Sequence, residues 1–216
     1  MSMLKINTIL NNSLKNMRVC FKCFKKLNRE SKNGIDALIA SIKRVYQDTD
    51  CMYVEFENNK MIVLDFNGGY KKYRSDGKLA SQRSLGTKMR LKDGHIQLKI
   101  EGRTIFMERL VAICKDIIND SMPLSYADLV ANVMDGSGSV FTASKLGIPV
   151  NYHPDNIEWC SRKENGVHGS MIMEMYKRTG CVYRYSANDR ILQYIFLNRS
   201  NARLINYCQK NLKRIK

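Results

Sequence analysis

Histidine and cysteine side chains carry much of the acid–base and metal chemistry of proteins, and this sequence holds three histidines and seven cysteines. Cys20-Phe-Lys-Cys23 has the spacing of half a zinc site or of a redox pair. Four tetrahedral ligands need a second pair, and none follows, so packing among the neighbouring phenylalanines is the favoured interpretation. His95 falls in an alternating segment and is expected on a hairpin surface. His153 and His168 are the histidines with a candidate chemical role.

Three sequence strings in the middle of the chain contain candidate functional residues. The first, Asp93-Gly-His-Ile-Gln-Leu-Lys-Ile-Glu-Gly-Arg-Thr-Ile-Phe-Met-Glu-Arg-Leu-Val-Ala112, reads as a hairpin that runs into a helix over 108–119. The second is Ala131-Asn-Val-Met-Asp-Gly136. The third, Asn156-Ile-Glu-Trp-Cys-Ser-Arg-Lys-Glu-Asn-Gly-Val-His168, is a short strand followed by a helix. Ser161 and Glu164 form a capping box at the start of that helix.

Taken together, these strings resemble the phage HNH homing endonucleases over about residues 65–170. The resemblance implies a ββα-metal module in which one divalent cation, Mg²⁺, stabilises the leaving oxygen of a phosphodiester. Hard oxygen ligands on the first strand and the helix hold that cation, and a histidine beside the strand ligand deprotonates the attacking water. It also implies that duplex DNA is the ancestral partner.

The resemblance assigns roles to individual positions. Asn132 takes the place of the strand metal ligand and Asn165 that of the helix ligand, while Asn156 matches the residue that ties the hairpin loop together. Val133 occupies the general-base position, and valine cannot accept a proton. In the first string, Glu108 stands where the family usually has a histidine.

Two histidines remain as weak substitutes for the missing base: His153, in a loop over 137–155 that is longer than usual, and His168, the terminal histidine of the motif. We therefore expect no catalytic residue and no cofactor, with Mg²⁺ relevant only if the nuclease site works. The main hypothesis is a nucleic-acid-binding protein that has lost cleavage. The alternative is an active, metal-dependent nicking endonuclease.

The charge distribution supports a polyanionic partner. The chain has 36 Lys+Arg against 20 Asp+Glu, a formal charge of +16. Residues 1–45 and 170–216 each carry a net +8, whereas 46–169 is balanced. The partner is DNA by resemblance, or a structured RNA such as ribosomal RNA. The candidate phosphate contacts are Lys71, Lys72, Arg74, Lys78, Arg83, Lys88, Arg90, Arg162, Lys163, Arg199, Arg203, Lys210, Lys213, Arg214 and Lys216.

The sequence also predicts the localisation, the fold class and the division of the chain into units. No apolar run approaches the roughly 18–20 residues of a membrane span, and the scattered thiols favour a cytoplasmic protein. The fold class is α+β: small antiparallel hairpins and an HNH-like core, flanked by basic helical arms. The predicted units are a basic N-terminal helical arm (1–50), a sheet region (51–106), the ββα module (107–176) and basic C-terminal helices (177–216).

Within these units, periodicity predicts a helix over 35–46, a hairpin with strands 51–57 and 60–66, and two C-terminal helices separated by 198–201. Trp159 is expected to pack in the core. The tyrosines that alternate with C-terminal arginines fit either stacking on unpaired bases or burial in a helix pair.

Overall fold

A computed structural model describes residues 17–31, 34–85, 91–197 and 201–215, and these ranges form an α+β fold as predicted. The chain begins with strand β1 (Arg18–Val19) and two short helices, α1 (Phe21–Asn28) and α2 (Gly34–Ala40). Cys20 caps α1, because its Sγ accepts a hydrogen bond from the Cys23 backbone N–H at 3.3 Å. The Cys-x-x-Cys segment therefore starts a helix.

The helix predicted over 35–46 is wrong in its second half, and the predicted N-terminal helical arm is correspondingly shorter. The chain leaves the helix at Ala40 and continues as strand β2 (Ile42–Gln47). Cross-strand contacts explain the change: the Tyr46 ring stacks on Tyr53 at 4.6 Å between centroids, and Lys43 and Arg44 both bind Glu55. Pairing with the next strand outweighs the helical spacing of the apolar residues.

A five-stranded antiparallel sheet follows in the order β2-β3-β4-β5-β6. Its other strands are β3 (Cys51–Phe56), β4 (Met61–Asp65), β5 (Tyr70–Tyr73) and β6 (Leu79–Arg83). The predicted hairpin of β3 and β4 is confirmed. Strand β3 alternates buried and half-buried side chains, so one face of the sheet covers the core.

The second predicted hairpin is also confirmed. After β7 (Leu91–Lys92), strands β8 (His95–Ile100) and β9 (Arg103–Phe106) pair with one another. Glu101 and Gly102 connect them, and both have positive φ angles of 48° and 77°, as a two-residue turn of this twist requires. The chain then enters helix α3 (Met107–Ile118) directly, close to the predicted span of 108–119.

The loop predicted over 137–155 contains a helix that the sequence did not indicate. Strand β10 (Met122–Pro123) pairs with β1, and strand β11 (Val130–Val133) leads to helix α4 (Val140–Leu146). Gly147 ends α4 in the left-handed conformation, at φ 64°. A 3₁₀ turn (Pro154–Asn156) and strand β12 (Ile157–Cys160) then precede helix α5 (Arg162–Thr179).

The two predicted C-terminal helices are confirmed as α6 (Arg190–Leu197) and α7 (Asn201–Asn211), although most of their predicted separator lies outside the described residues. Strand β13 (Tyr183–Arg184) before them pairs with β14 (Lys213–Arg214) after them. Tyr183 and Tyr185 are buried, whereas Tyr194 is 67% exposed. Burial therefore accounts for two of the tyrosines that the sequence left open.

Helix α3 lies at the centre of one continuous apolar core. Eight of its twelve residues are buried, and it packs against strands of both larger sheets and against the pair β11 and β12. The core extends from Phe24, whose ring meets Tyr126 edge-on at 5.8 Å, to Leu204 on α7. Among the described helices, none combines the length and apolar character that crossing a membrane requires.

Two isoleucines of α3 provide a matched test of this arrangement. Ile113 is fully buried and Ile118 is 44% exposed. We expect Ile113→Ala to lower the free energy of unfolding by about 2–5 kcal/mol, because it leaves a cavity in the core. Ile118→Ala should change it by less than about 1 kcal/mol, measured by urea denaturation of both variants. Equal losses would contradict the central position of α3.

Candidate functional site

Strands β11 and β12 and helix α5 form a strand–strand–helix unit. The two strands pair antiparallel with Asn132 opposite Glu158. Ser161 separates β12 from α5: its side chain accepts a hydrogen bond from the Glu164 backbone, and the Glu164 carboxylate accepts one from the Ser161 backbone. This capping box was predicted and is confirmed. The unit has the element order that the resemblance implies.

A pocket of about 270 Å³ opens between this unit and the first turn of α3. Five positions singled out by the resemblance line it together, and these are Glu108, Asn132, Val133, Asn165 and His168. The opposite wall comes from β8, β9 and α3. Its polar members are His95 and Glu108, and Phe106 lies beside them.

The two asparagines at the proposed ligand positions differ in burial. Asn132 is 4% exposed, and its Nδ2 donates a hydrogen bond to Glu158 Oε1 at 3.0 Å. Glu158 also accepts from Ser186 and from the Ala187 backbone, so Asn132 helps to attach the C-terminal segment. Asn165 is half-buried at the pocket mouth. Among the described residues, no three His, Cys, Asp or Glu side chains converge as a metal cluster.

The side chains of Val133 and Asp135 are both held by contacts inside the protein. Val133 is 6% exposed, and its Cγ2 lies so near Gly138 that a Cβ there would approach it to 2.8 Å. Asp135 is 2% exposed and accepts hydrogen bonds from the backbone and hydroxyl of Ser137, at 2.9 and 2.6 Å. Asn156 ties the loop, since its Nδ2 donates to the Asn151 carbonyl at 3.0 Å.

Neither histidine named as a substitute base is placed for that role. His168 is 2% exposed, its Nε2 lies 3.0 Å from the Tyr185 carbonyl, and burial lowers its pKa. The Nδ1 of His153 accepts a hydrogen bond from the Asp155 backbone at 3.2 Å, and its ring meets Phe66 edge-on. His153 is not among the residues that line the pocket.

The pocket contains an ion pair that sequence analysis missed. His95 Nδ1 lies 2.8 Å from Glu108 Oε1, and the hydrogen bond from His95 to Glu108 raises the pKa of the imidazole against the opposing effect of burial. Glu108 is 5% exposed, and its Oε2 has no hydrogen-bond partner among the described residues. An acidic residue on the apolar side of a helix, close behind a histidine-bearing hairpin, was the available signal.

The predicted phosphate contacts on the first sheet fall into two groups. Lys71 and Lys78 are exposed. Lys72 donates to the Lys99 carbonyl at 2.7 Å, and burial lowers its pKa. Arg74 lies 3.8 Å from Asp76, and Arg83 donates to the Gln82 carbonyl at 2.9 Å. Lys88 and Arg90 lie outside the described residues.

The other predicted contacts lie on α5 and near the C-terminus. Arg162 and Lys163 are exposed on the first turn of α5. Four more are exposed on α7 and β14, namely Arg203, Lys210, Lys213 and Arg214. Arg199 and Lys216 lie outside the described residues. By contrast, Lys25, Lys43 and Lys60 on the N-terminal half each bind a glutamate.

A shallow groove continues from the pocket along α5. Asn165 and Gly169 line both the pocket and the groove, and Lys177 lies at its far end. A Cβ added at Gly166 or Gly169 would meet no atom within 4 Å. The one acidic residue that lines it, Glu174, is paired with Arg178.

Other predicted features are structural. Trp159 packs against the core as expected, and its Nε1 donates to Asp116 Oδ2 at 2.9 Å. Asp116 also accepts from the Tyr126 hydroxyl at 2.9 Å. No family model, curated protein or solved structure matches this chain.

The imidazoles of half-buried His95 and buried His168 should titrate in opposite directions from the ordinary histidine value near 6.5. In an NMR titration we expect the midpoint of His95 above that value and that of His168 below it. Glu108→Gln should move the His95 midpoint downward, because burial then acts without the carboxylate. The His168 midpoint is the internal control and should stay fixed.

The stability linkage has a definite sign for each group. The contribution of His95 is fully present below pH ~6.5 and is lost as the pH rises through its raised pKa. That of His168 is present above pH ~6.5 and is lost as the pH falls through its lowered pKa. A His95 midpoint below ~6.5 in the unmodified protein would contradict the ion pair.

Proposed function

We propose that this protein binds nucleic acid along the exposed face of α5 and does not cut it. The observation that carries the proposal is a row of cations without acidic partners in the described ranges, Arg162, Lys163 and Lys177, with two open glycines between them. Phosphate groups are the ligands that such a row attracts, since each contact releases condensed counterions.

The spacing of these residues supports one binding face. Arg162, Gly166, Gly169, Met173 and Lys177 follow one another at intervals of three or four residues, which places them along one side of the helix. At ~1.5 Å per residue the cations span about 23 Å. The helix N-terminus itself is already occupied by the capping box, so side chains rather than the helix end supply the positive charge.

The division between paired and unpaired cations supports the same face. On the N-terminal half, Lys25, Lys43 and Lys60 lie within 3.0 Å of glutamate oxygens. Each of these lysines has a glutamate beside it, whereas the cations of the α5 row have none in the described ranges. A polyanion would therefore be drawn to α5 in preference to these three lysines.

The glycines are a further argument for a close partner. A glycine inside a helix destabilises it by roughly 0.5–1 kcal/mol relative to alanine, and α5 contains two with free space around them. Nothing within the described chain requires the absence of a Cβ there. A backbone that approaches the helix surface closely does require it.

Binding without cleavage is favoured by the state of the ββα unit. Val133 cannot accept a proton, Asn132 is engaged with Glu158, and His168 is buried against Tyr185. In the resemblance these are the base, the strand ligand and the terminal histidine. Two further points are part of this proposal: descent from an HNH endonuclease, and a partner that is either DNA or RNA.

A charge-matched pair of variants tests the binding face. We expect Arg162→Gln, Lys163→Gln and Lys177→Gln together to weaken binding to a fluorescent oligonucleotide. They should also reduce the slope of log K against log[salt] by roughly two to three. The control removes the same charge from paired positions, through Lys25→Gln, Lys43→Gln and Lys60→Gln, and should leave the slope nearly unchanged.

Equal effects of the two triple variants would show that total charge rather than the α5 face controls binding. The absence of any salt-sensitive retention would overturn nucleic-acid binding itself. Nicking of supercoiled plasmid in Mg²⁺, abolished by Asn165→Ala, would overturn the non-cleaving part.

The glycines give a prediction in which stability and binding change in opposite directions. Gly166→Ala combined with Gly169→Ala should raise the free energy of unfolding by roughly 1–2 kcal/mol, through helix propensity alone. The same variant should bind the oligonucleotide more weakly, because two methyl groups then project into the groove. Ser170→Ala, on the same face, adds no bulk and is the control. A variant that is more stable and binds equally well would refute a close approach of the nucleic-acid backbone to α5.

A further inference from the structure

We propose that the pocket beside α5 holds one unpaired nucleobase whose exocyclic amine adjoins a ring-nitrogen acceptor, that is, cytosine or adenine. Glu108 is the residue that reads the amine. This inference rests on the proposed function and names the part of the nucleic acid that the site recognises. It requires a base that is single-stranded or turned out of a helix.

The first observation is an incomplete hydrogen-bond network. The Glu108 side chain is 6% exposed, and its Oε1 faces His95 at 2.8 Å. Its Oε2 is buried, and no donor reaches it from the described chain. A buried carboxylate oxygen without a donor is costly, and an N–H of a ligand would remove that cost.

The second observation concerns charge. The imidazole of His95 balances the carboxylate of Glu108, so the pair as a whole is close to neutral when the histidine is protonated. The oxygen that remains therefore favours a neutral N–H donor and gives little attraction for a second cation. An aromatic amine has this character.

The size and lining of the pocket fit one planar ring. Its volume of about 270 Å³ is below the ~300–1,000 Å³ that is usual for drug-sized ligands. Phe106, Val133 and Ile172 supply apolar walls. The amide of Asn165, at the mouth, offers a donor for a ring nitrogen as well as an acceptor.

The pocket is also correctly placed for a base whose backbone lies on α5. Asn165 and Gly169 belong to both cavities, so a strand in the groove passes the pocket mouth. Positive charge that tracks a backbone, with a pocket for a base at its side, is a common arrangement in single-strand binding.

The donor pattern separates the four bases. Uracil and thymine have one N–H on this edge, between two carbonyl oxygens, so a carboxylate that accepts from it lies against a carbonyl oxygen. Guanine presents two adjacent donors, whereas one oxygen of Glu108 is already used by His95. Cytosine and adenine present one amine beside an unprotonated ring nitrogen.

Cytosine and uracil oligonucleotides of equal length give the direct test, because the two bases are similar in size. By fluorescence anisotropy at one salt concentration, we expect oligo(C) to bind roughly 5–150-fold more tightly than oligo(U). An oligomer of pyrimidin-2-one, which has hydrogen in place of the amine, should lose this advantage. Both comparisons use the unmodified protein and do not depend on a variant that folds.

Glu108→Gln is the matched variant, since it keeps the shape of the side chain and introduces an amide N–H. It should reduce or reverse the preference for cytosine over uracil without changing the salt slope. Equal, salt-sensitive binding of all three oligomers would overturn the base pocket and leave the proposed function intact. Tighter binding of oligo(U) would overturn it as well. No binding of any oligomer would overturn the proposed function itself.

Discussion

Burial of helix α3 is the constraint on which the rest of the molecule depends. Its apolar side chains point in several directions, and each needs a separate partner: the large sheet, the β8–β9 hairpin, and the β11–β12 pair. A helix of this kind gains most of its stability from tertiary packing rather than from its own propensity. The N-terminal helices and the C-terminal segment complete the cover, which is why one core runs from Phe24 to Leu204.

This constraint explains how a carboxylate comes to lie inside the protein. Glu108 is in the first turn of α3, where the helix enters the core. An isolated charge at such depth is expensive, and His95 from the neighbouring strand compensates it. The pair therefore follows from the way the hairpin leads into the helix. Its second oxygen is buried without a hydrogen-bond partner among the described residues, and it is the atom to which the proposed base would donate.

The sequence was sufficient for the elements whose signals are local. The hairpin at β3 and β4, the hairpin that runs into α3 and the capping box at Ser161 were all predicted, because each depends on residues close to one another in the sequence. Strand β2 was missed because its apolar spacing also fits a helix. The contacts that favour a strand are made with Tyr53 and Glu55 on the partner strand, which local spacing does not reveal. Helix α4 was missed because glycine and proline at its borders suggested a loop.

The candidate site shows the same division. The resemblance selected five residues that do line one pocket, and all of them except Glu108 lie in consecutive elements of one unit. It gave His95 no role, because the partner that defines this residue is thirteen positions away on another element. Charge counting likewise placed the positive surplus at the two ends, but could not separate cations that bind glutamates from those that do not. That separation depends on tertiary neighbours.

The outer strands of the large sheet carry positive charge, which opposes self-association. Its two outer strands, β2 and β6, each carry exposed basic side chains: Lys43 and Arg44 on one edge, Arg83 on the other. Unpaired strand edges invite other copies to add on, and like charges at the edge discourage this. Within the described ranges, Glu55 alone offsets the two cations of β2. Such a protein resists edge-to-edge stacking at low ionic strength and loses part of this protection when salt screens its edges.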